Sequence, residues 1–208
     1  KKNYLKIGKY TVLEIAVLKA KQSNVFDKII VNSDDSDLEL LSKKLGVEFY
    51  LRNDELASSN ATSDQVVLDF FEKNEGDRIF WVNTVSPLQT LTDIKNFVVS
   101  SQNKDWNSGV SINSSLVHAV YKGKPLNFIW KEGFARTQDL NPVTIFNYAM
   151  MGWHRKMIEK LKKGQLFDES TKLIESSIWS SFLLKNKEDM ELIRNLSKVS
   201  PDQGIKFT

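Results

Sequence analysis

Apolar residues in the first half of the chain alternate between helical spacing and short continuous runs. Helical spacing predicts amphipathic helices over residues 10–22, 36–45, 62–71 and 92–98. Short apolar runs between them predict strands over residues 28–32, 47–51 and 79–82. Strands that alternate with helices in this order predict an α/β fold with a three-layer, mostly parallel sheet flanked by helices and right-handed crossovers.

Polar residues at the predicted helix starts support these boundaries. Ser36 with Glu39 and Thr62 with Gln65 have the spacing of a capping box. Thr92 is predicted to cap the helix that follows the strand over residues 79–82.

The second half is predicted to be mainly extended until its last helices. Extended segments cover residues 109–113, 116–121 and 126–131, with turns at 122–125 and 132–133. A strand over residues 143–151, a helix over 153–161 and a terminal helix over 187–196 follow. We expect residues 1–208 to form one domain, in which residues 116–147 are a β-hairpin excursion.

Three adjacent apolar residues lie on that excursion. Phe128, Ile129 and Trp130 would be costly to expose in a monomer, so we predict that they pack against a partner subunit in a homodimer. The alternative is that they fold back onto the sheet.

Composition narrows the class of protein. The chain has 208 residues and a net charge of +3 with no long basic run, which does not favour nucleic acid as a partner. No segment is apolar over the length that a bilayer requires, and no secretion signal opens the chain, so we expect no membrane span and a cytoplasmic location. It has no cysteine and only two histidines, which excludes disulfides, thiolate chemistry and histidine-rich metal sites. We expect both histidines to be surface or packing residues.

Polar side chains follow two of the predicted strands. Asn83, Thr84 and Ser86 come directly after the strand over residues 79–82, where ligands bind in open α/β sheets. They are candidates for ligand contact, or they only cap the strand. The three aspartates at residues 34, 35 and 37 follow an earlier strand. Such a cluster could hold Mg²⁺, but more often it is an acidic turn before a helix.

Several spaced segments match one pattern over nearly the whole chain. They are Lys2-Asn3 with Gly8-Lys9, residues 26–31 with Ser33-Asp34, Leu51-Arg52 with Leu56-Ala57, Ser86-Pro87-Leu88, residues 136–140 with Pro142-Val143 and Asn147, and Glu188-Asp189. Through them the chain resembles the acylneuraminate cytidylyltransferases, which make CMP-sialic acids and related CMP-nonulosonates. The segment Arg-Thr-Gln-Asp-Leu-Asn-Pro-Val over residues 136–143 is the most specific of these matches.

The resemblance implies a glycosyltransferase-A-like nucleotidyltransferase. Such an enzyme transfers CMP from CTP to a nine-carbon 2-keto sugar acid and releases pyrophosphate, with Mg²⁺ usually neutralising much of the triphosphate. The protein need not form a covalent bond in this reaction, so its tasks are positioning, charge neutralisation and help with proton removal.

The resemblance also implies roles for individual residues. Lys2 and Arg136 are the implied catalytic residues, with Lys2 facing phosphate. Nucleotide contacts are implied for Lys2, Asn3, Arg52 and Ser63. Contacts with the sugar acid are implied for Asn83, Arg136, Gln138, Asp139 and Asn147.

Some positions depart from the family pattern. Leu183 and Lys185 occupy the positions of its metal-binding Asp-x-Asp, and neither side chain is a ligand for Mg²⁺, so the metal ligands remain unassigned. Gln89 replaces an arginine, and Tyr148 replaces a glycine. The Arg-Gly-Gly-Ser-Lys phosphate loop of the family does not occur in these residues, and we expect further residues, including a first strand, upstream of Lys1.

Three functions remain open at this point. The first is an active cytidylyltransferase with a divergent site, in which Lys185 stands in for part of the metal charge. The second is a catalytically impaired homologue that retains the fold and binds a nucleotide or sugar acid. The third is a sugar nucleotidyltransferase that uses another nucleotide. The retained segment over residues 136–143 favours the first, and the changed metal positions favour the second.

Overall fold

The computed structural model describes residues 2–58, 60–130, 134–200 and 205. Strands in this part of the chain are β1 (Lys6–Ile7), β2 (Tyr10–Thr11), β3 (Ile30–Ser33), β4 (Glu48–Leu51), β5 (Arg78–Val82), β6 (Ser108–Ser115), β7 (Val120–Tyr121), β8 (Lys124–Pro125), β9 (Val143–His154) and β10 (Lys172–Glu175). The α-helices are α1 (Val12–Ser23), α2 (Leu38–Leu45), α3 (Ser63–Lys73), α4 (Leu91–Ser100), α5 (Ile158–Leu161) and α6 (Lys187–Leu196). No helix among the described residues combines the length and the apolar character needed to cross a bilayer.

The largest sheet has four strands in the order β10-β6-β9-β5. β10 pairs in parallel with β6, whereas β9 is antiparallel to both of its neighbours, so only β9 runs against the other three strands. The predicted α/β sheet is therefore present as a mixed sheet with one reversed strand. The reversal has a simple cause: Ser115 at the end of β6 pairs with Val143 at the start of β9, so the excursion returns along the strand it has just left.

A second sheet consists of the parallel pair β3 and β4, and no backbone ladder within the described residues joins it to the four-stranded sheet. Helix α1 connects the two through side chains. Leu13 and Val17 on α1 pack against Val31 of β3, while Ile15 packs into a cluster with Leu88 beyond β5. Both sheets therefore share α1 as a common support.

Strand β5 is covered on both faces, as its apolar run predicts. Ile79 and Trp81 pack into the cluster that contains α3, and Phe80 and Val82 pack into the cluster that contains α4. These side chains are only partly buried because β5 lies at the end of the four-stranded sheet.

One of the two predicted capping boxes forms. Thr62 is the N-cap of α3, and its backbone N–H donates to Gln65 Oε1 at 2.9 Å. The predicted box at Ser36 and Glu39 is wrong, because α2 begins after Asp37 and has no side-chain cap hydrogen bond at its start. The terminal helix α6 has the predicted bounds.

Two further predicted boundaries are wrong. Thr90, rather than Thr92, caps α4, and its hydroxyl accepts a hydrogen bond from Asp93 N at 3.0 Å. The predicted helix over residues 153–161 starts too early, because Trp153 is buried and paired within β9, which extends to His154. Only the short helix α5 remains of it, after a 3₁₀ turn.

The excursion contains a shorter hairpin than predicted. Strands β7 and β8 have two residues each and are joined by Lys122 and Gly123, both with positive φ angles of 48° and 77°. The predicted strand over residues 126–131 does not form over residues 126–130, where the chain bends. The predicted turn at residues 132–133 lies outside the described residues.

An aromatic cluster, composed of His118, Phe128, Trp130 and Phe134, covers this excursion. The rings of His118 and Phe134 stack with centroids 4.0 Å apart, and Phe128 contacts the rings of His118 and Trp130 edge-on. Trp130 is 64% exposed and Phe134 is 74% exposed. The cluster therefore presents a large apolar surface to solvent in the single chain.

Candidate active site

Three segments that are distant in sequence meet beyond the carboxyl end of β5. The first is the 3₁₀ turn Lys2–Tyr4, the second is the loop after β5, and the third leads into α6. Thr84 Oγ1 donates to Asn3 Oδ1 at 3.0 Å, and Lys2 Nζ donates to Leu184 O at 3.4 Å. Leu184 N in turn donates to Val85 O at 2.7 Å. The predicted nucleotide residues Lys2 and Asn3 thus lie beside the predicted ligand loop.

A second group of polar residues adjoins this junction from the carboxyl ends of β3 and β4. Arg52 Nη2 donates to Asp34 Oδ1 at 2.9 Å, and Tyr4 Oη donates to Asp35 Oδ2 at 3.0 Å. These contacts link the ends of both sheets through the turn that carries Lys2. Lys2, Asn3 and Arg52 therefore lie along one continuous edge, where the topology of an open α/β sheet places a ligand.

Arg52 has a donor to spare at this edge. Its Nε is buried and has no hydrogen-bond partner among the described residues, and the same holds for Asn32 Oδ1 on the neighbouring strand β3. Buried polar atoms without partners are uncommon in folded proteins, and a ligand can supply the missing bond. Ser63 is exposed as the first residue of α3, after the loop that follows β4.

Buried hydrogen bonds fix the loop after β5 to the core of the fold. Ser86 is buried and its hydroxyl donates to Ser180 O at 2.8 Å. Lys19 on α1 is 2% exposed, and its ammonium group donates to Pro87 O at 2.7 Å and to Gln89 O at 2.6 Å. A buried cation thus fixes the loop through two backbone carbonyls. The sequence did carry a signal for it, since Lys19 interrupts the apolar face of α1.

Of the candidates on this loop, Asn83 and Thr84 remain partly accessible, whereas Ser86 does not. Asn83 Nδ2 donates to Tyr148 O at 3.2 Å, which ties the loop to β9. Tyr148 has a positive φ of 53° at the position where the family pattern has glycine. The left-handed backbone conformation is therefore present, with a large side chain added to it.

Asn147 lies inside the fold, at 4% exposure. Its Nδ2 donates to Asn113 Oδ1 at 2.7 Å and to Ser176 Oγ at 2.8 Å. Its Oδ1 accepts from Ser111 Oγ at 2.6 Å and from Ala149 N at 3.1 Å. The amide connects β6, β9 and the segment after β10, and its predicted contact with the sugar acid stays a prediction.

The remaining predicted sugar-acid residues lie on the excursion. Arg136 Nε donates to Asp139 Oδ2 at 2.7 Å and Nη2 donates to Asp139 Oδ1 at 3.3 Å, so the two side chains form a bidentate ion pair. Gln138 lies between them in the 3₁₀ turn. Both charged side chains are exposed, at 73% and 48%. The structure therefore brings Arg136 and Asp139 together, on a turn beyond the strand pair β6 and β9.

The expected Mg²⁺ does not fit the residues at the family's metal positions. Leu183 and Lys185 line one cavity of about 180 Å³ together with Asp189. Asp189 Oδ2 already accepts hydrogen bonds from Lys185 N at 2.7 Å and Asn186 N at 3.0 Å as part of the α6 cap. Across the described part of the chain, no group of three or more histidine or acidic side chains is placed to hold a metal ion, and this includes the aspartates after β3.

A family model described as cytidylyltransferase matches residues 1–197. This chain belongs to the cytidylyltransferase family. The match confirms the predicted resemblance at the level of the cytidylyltransferase family. The enzyme is therefore a nucleotidyltransferase.

One relative and two solved structures show how far the likeness extends. The post-translational flagellin modification protein B of Campylobacter coli is 23% identical over 225 residues, which cover 99% of this chain and 92% of that protein. The bifunctional IspDF from Campylobacter jejuni superposes with a TM-score of 0.64 at 13% identity over 92% of this chain, which spans 48% of that longer protein. The structure of CMP:2-keto-3-deoxy-manno-octonic acid synthetase complexed with CTP gives a TM-score of 0.69 at 9% identity, over 95% of this chain and 91% of that one. These structures confirm the predicted α/β nucleotidyltransferase fold of this cytidylyltransferase.

Proposed function

We propose that this cytidylyltransferase transfers CMP from CTP to a sialic-acid-like nonulosonic acid and releases pyrophosphate. The observation that carries the proposal is the continuous polar edge formed by Arg52, Lys2 and Asn3 beyond the carboxyl ends of the strands. The structural neighbour complexed with CTP supports the choice of nucleotide, and the flagellin-modifying relative is compatible with a sugar acid.

The nucleotide occupies this edge, with its cytidine end beside the sheet of β3 and β4 and its phosphates beside the four-stranded sheet. The buried Nε of Arg52 has no partner in the described part of the chain and can donate to an acceptor on the cytidine end, near Ser63. Lys2 carries its positive charge to the junction with the loop after β5, where it meets the phosphates. Its bond to Leu184 O is long, at 3.4 Å, so a phosphate oxygen can replace that partner at little cost.

The sugar acid binds from the side of the excursion. The guanidinium group of Arg136 already holds a carboxylate in two-pronged geometry, that of Asp139. A sugar acid presents the same group, and it can exchange with Asp139 for the fork of Arg136. Asn83, Gln138 and Asn147 are the remaining predicted contacts for this substrate.

The chemical step is an in-line displacement. The anomeric hydroxyl oxygen of the sugar acid forms a bond to the α-phosphorus of CTP, and the bond from that phosphorus to the bridging oxygen of pyrophosphate breaks. The hydroxyl proton passes to solvent, and the negative charge that develops on pyrophosphate is stabilised by Lys2. The protein contributes alignment and charge without a covalent intermediate.

A homodimer accounts for the exposed aromatic cluster. A second copy of the chain would cover Trp130 and Phe134, which are otherwise apolar surface in water. Replacing both residues with serine is expected to convert a dimer to a monomer in sedimentation velocity. Leu40→Ser, at another exposed apolar residue, is the control and leaves the mass unchanged.

The test of the proposed reaction is pyrophosphate release with CTP and a panel of nonulosonic acids, with and without Mg²⁺. We expect release that depends on both CTP and one acid, and that falls at least tenfold in Lys2→Ala and Arg136→Ala. Lys104→Ala, an exposed residue before β6 at the opposite edge of the sheet, is the control. Release with UTP in place of CTP would favour a sugar nucleotidyltransferase with another nucleotide.

The second candidate function is a catalytically impaired homologue that binds a nucleotide or a sugar acid. Leu183 and Lys185 at the family's metal positions favour it. Binding of CTP or a sugar acid by calorimetry, without pyrophosphate release under any condition of the panel, would identify this function.

A further inference from the structure

Two lysines adjoin the segment before α6, since Lys185 belongs to it and Lys2 bonds to its backbone. Leu184 is 1% exposed and anchors the segment in the core with Leu88. On either side of it, Leu183 and Lys185 line the cavity of about 180 Å³. The ammonium group of Lys2 donates to Leu184 O at 3.4 Å, so it lies against the same three-residue segment.

The carboxylate donors that would hold a divalent cation are replaced at this place. The side chain of Leu183 offers no ligand atom, and Lys185 brings a positive charge, which repels a metal ion. Asp189 is the acidic residue that lines the cavity, and its Oδ2 is engaged by two backbone N–H groups of the α6 cap. The donor set of this segment therefore disagrees with a protein-held Mg²⁺.

We propose that the ammonium groups of Lys2 and Lys185 neutralise the nucleotide triphosphate in place of a protein-bound divalent cation. The inference rests on the proposed function, because it assumes that a triphosphate occupies this edge. Two ammonium groups carry the same total charge as Mg²⁺. Lysine is a regular phosphate ligand that acts as a point charge.

The availability of both lysines supports the proposal. Among the described residues, none accepts a hydrogen bond from the Lys185 ammonium group, and the side chain is exposed. The single long bond of Lys2 to a carbonyl leaves that ammonium group two further protons to donate. Both groups can therefore turn to a triphosphate without breaking an ion pair.

The test is CTP affinity, measured by calorimetry in EDTA and again with Mg²⁺. We expect the two dissociation constants to agree within about threefold. Lys185→Ala is expected to weaken binding in EDTA by about tenfold, as for the loss of one charge near a phosphate at a partly screened surface. Lys187→Ala, an exposed lysine two residues further along, is the matched control and is expected to bind as the wild type does.

A charge-reversed variant provides the sharpest comparison. Leu183→Asp combined with Lys185→Asp restores two carboxylates, and its CTP binding is expected to be lost in EDTA and recovered with Mg²⁺. Wild-type binding that requires Mg²⁺ would overturn this inference and leave the proposed function standing. Absence of CTP binding in both conditions, in protein with a normal circular dichroism spectrum, would overturn both.

Discussion

The buried lysine beneath the ligand loop leads to a quantitative prediction. Lys19→Met keeps most of the side-chain volume but removes the ammonium group that donates to Pro87 O and Gln89 O at 2.7 and 2.6 Å. Each hydrogen bond from a charged donor contributes about 1.5–3 kcal/mol. The loss is partly offset because the variant no longer buries a charge. We therefore expect the free energy of unfolding to fall by about 2–4 kcal/mol.

The measurement is urea and thermal unfolding followed by circular dichroism. For a chain of this length, the expected change corresponds to a fall in Tm of roughly 5–15 °C. The matched control is Lys21→Ala on the same helix, which also removes an ammonium-to-carbonyl bond, to Leu45 O at 2.7 Å, but an exposed one. That change should cost less than about 1 kcal/mol.

The functional readout follows from the position of the loop. Without the hydrogen bonds of Lys19, the loop segment that carries Thr84 is less ordered. CTP affinity should therefore fall in Lys19→Met, whereas Lys21→Ala should retain it. The reasoning is refuted if Lys19→Met is as stable as the wild type, since two unpaired buried carbonyls would then have no measurable cost.

Three other changes test separate parts of the fold. In Gly152→Ala the new Cβ would lie 2.9 Å from the Phe80 ring, so we expect a loss of about 1–3 kcal/mol in urea unfolding that Phe80→Leu partly restores; equal stability would contradict the close packing. Burial, followed by the hydrogen bond and charge of Asp69, raises the pKa of Tyr50 from 10.0 to about 12. Because the folded state holds this proton more tightly, its contribution to stability is intact below pH 10 and lost between pH 10 and 12, a decline that should be smaller in Tyr50→Phe. Asn147→Asp turns an amide donor into an acceptor that faces other buried oxygens, and we expect a loss of about 2–4 kcal/mol at neutral pH that lessens in acid.

The periodic pattern predicted the elements of the first half well, because their apolar faces are wide and their boundaries are polar. It could not separate two capping patterns that have the same spacing. Thr62 and Gln65 form their box, whereas near Ser36 the Asp35 carboxylate accepts the N–H of Asp37 and the helix begins later. Competition among neighbouring acceptors decides such cases, and spacing alone does not contain that information.

The second half was harder to predict because long-range pairing determines it. The residues next to Trp153 in the sequence indicate a helix. In the structure, however, Trp153 belongs to β9, where it pairs with Ile79 and Ser108 on the two adjacent strands. Strand β10 was missed because its residues are mostly exposed and polar at its ends, so no apolar run marks it.

The candidate site was predicted through resemblance more than through pattern. Lys2, Asn3 and Arg52 do lie on one edge, which spacing alone would not have shown. The role of Lys19 depends on the loop that lies above it in the fold, nearly seventy residues further along the chain. Such a contact is a property of the tertiary structure.

The two sheets give a bound nucleotide a mechanical role. No backbone ladder in the described chain connects β3 to β5, so side chains join the halves: those of α1, the Tyr50 contacts with α3, and the polar contacts at the candidate site. A ligand that touches Arg52 at one end and Lys2 at the other would fasten the halves together. Its binding free energy would then make the two sheets unfold more cooperatively. In hydrogen exchange, the amide protons of both sheets would exchange as one unit with CTP bound and as separate units without it.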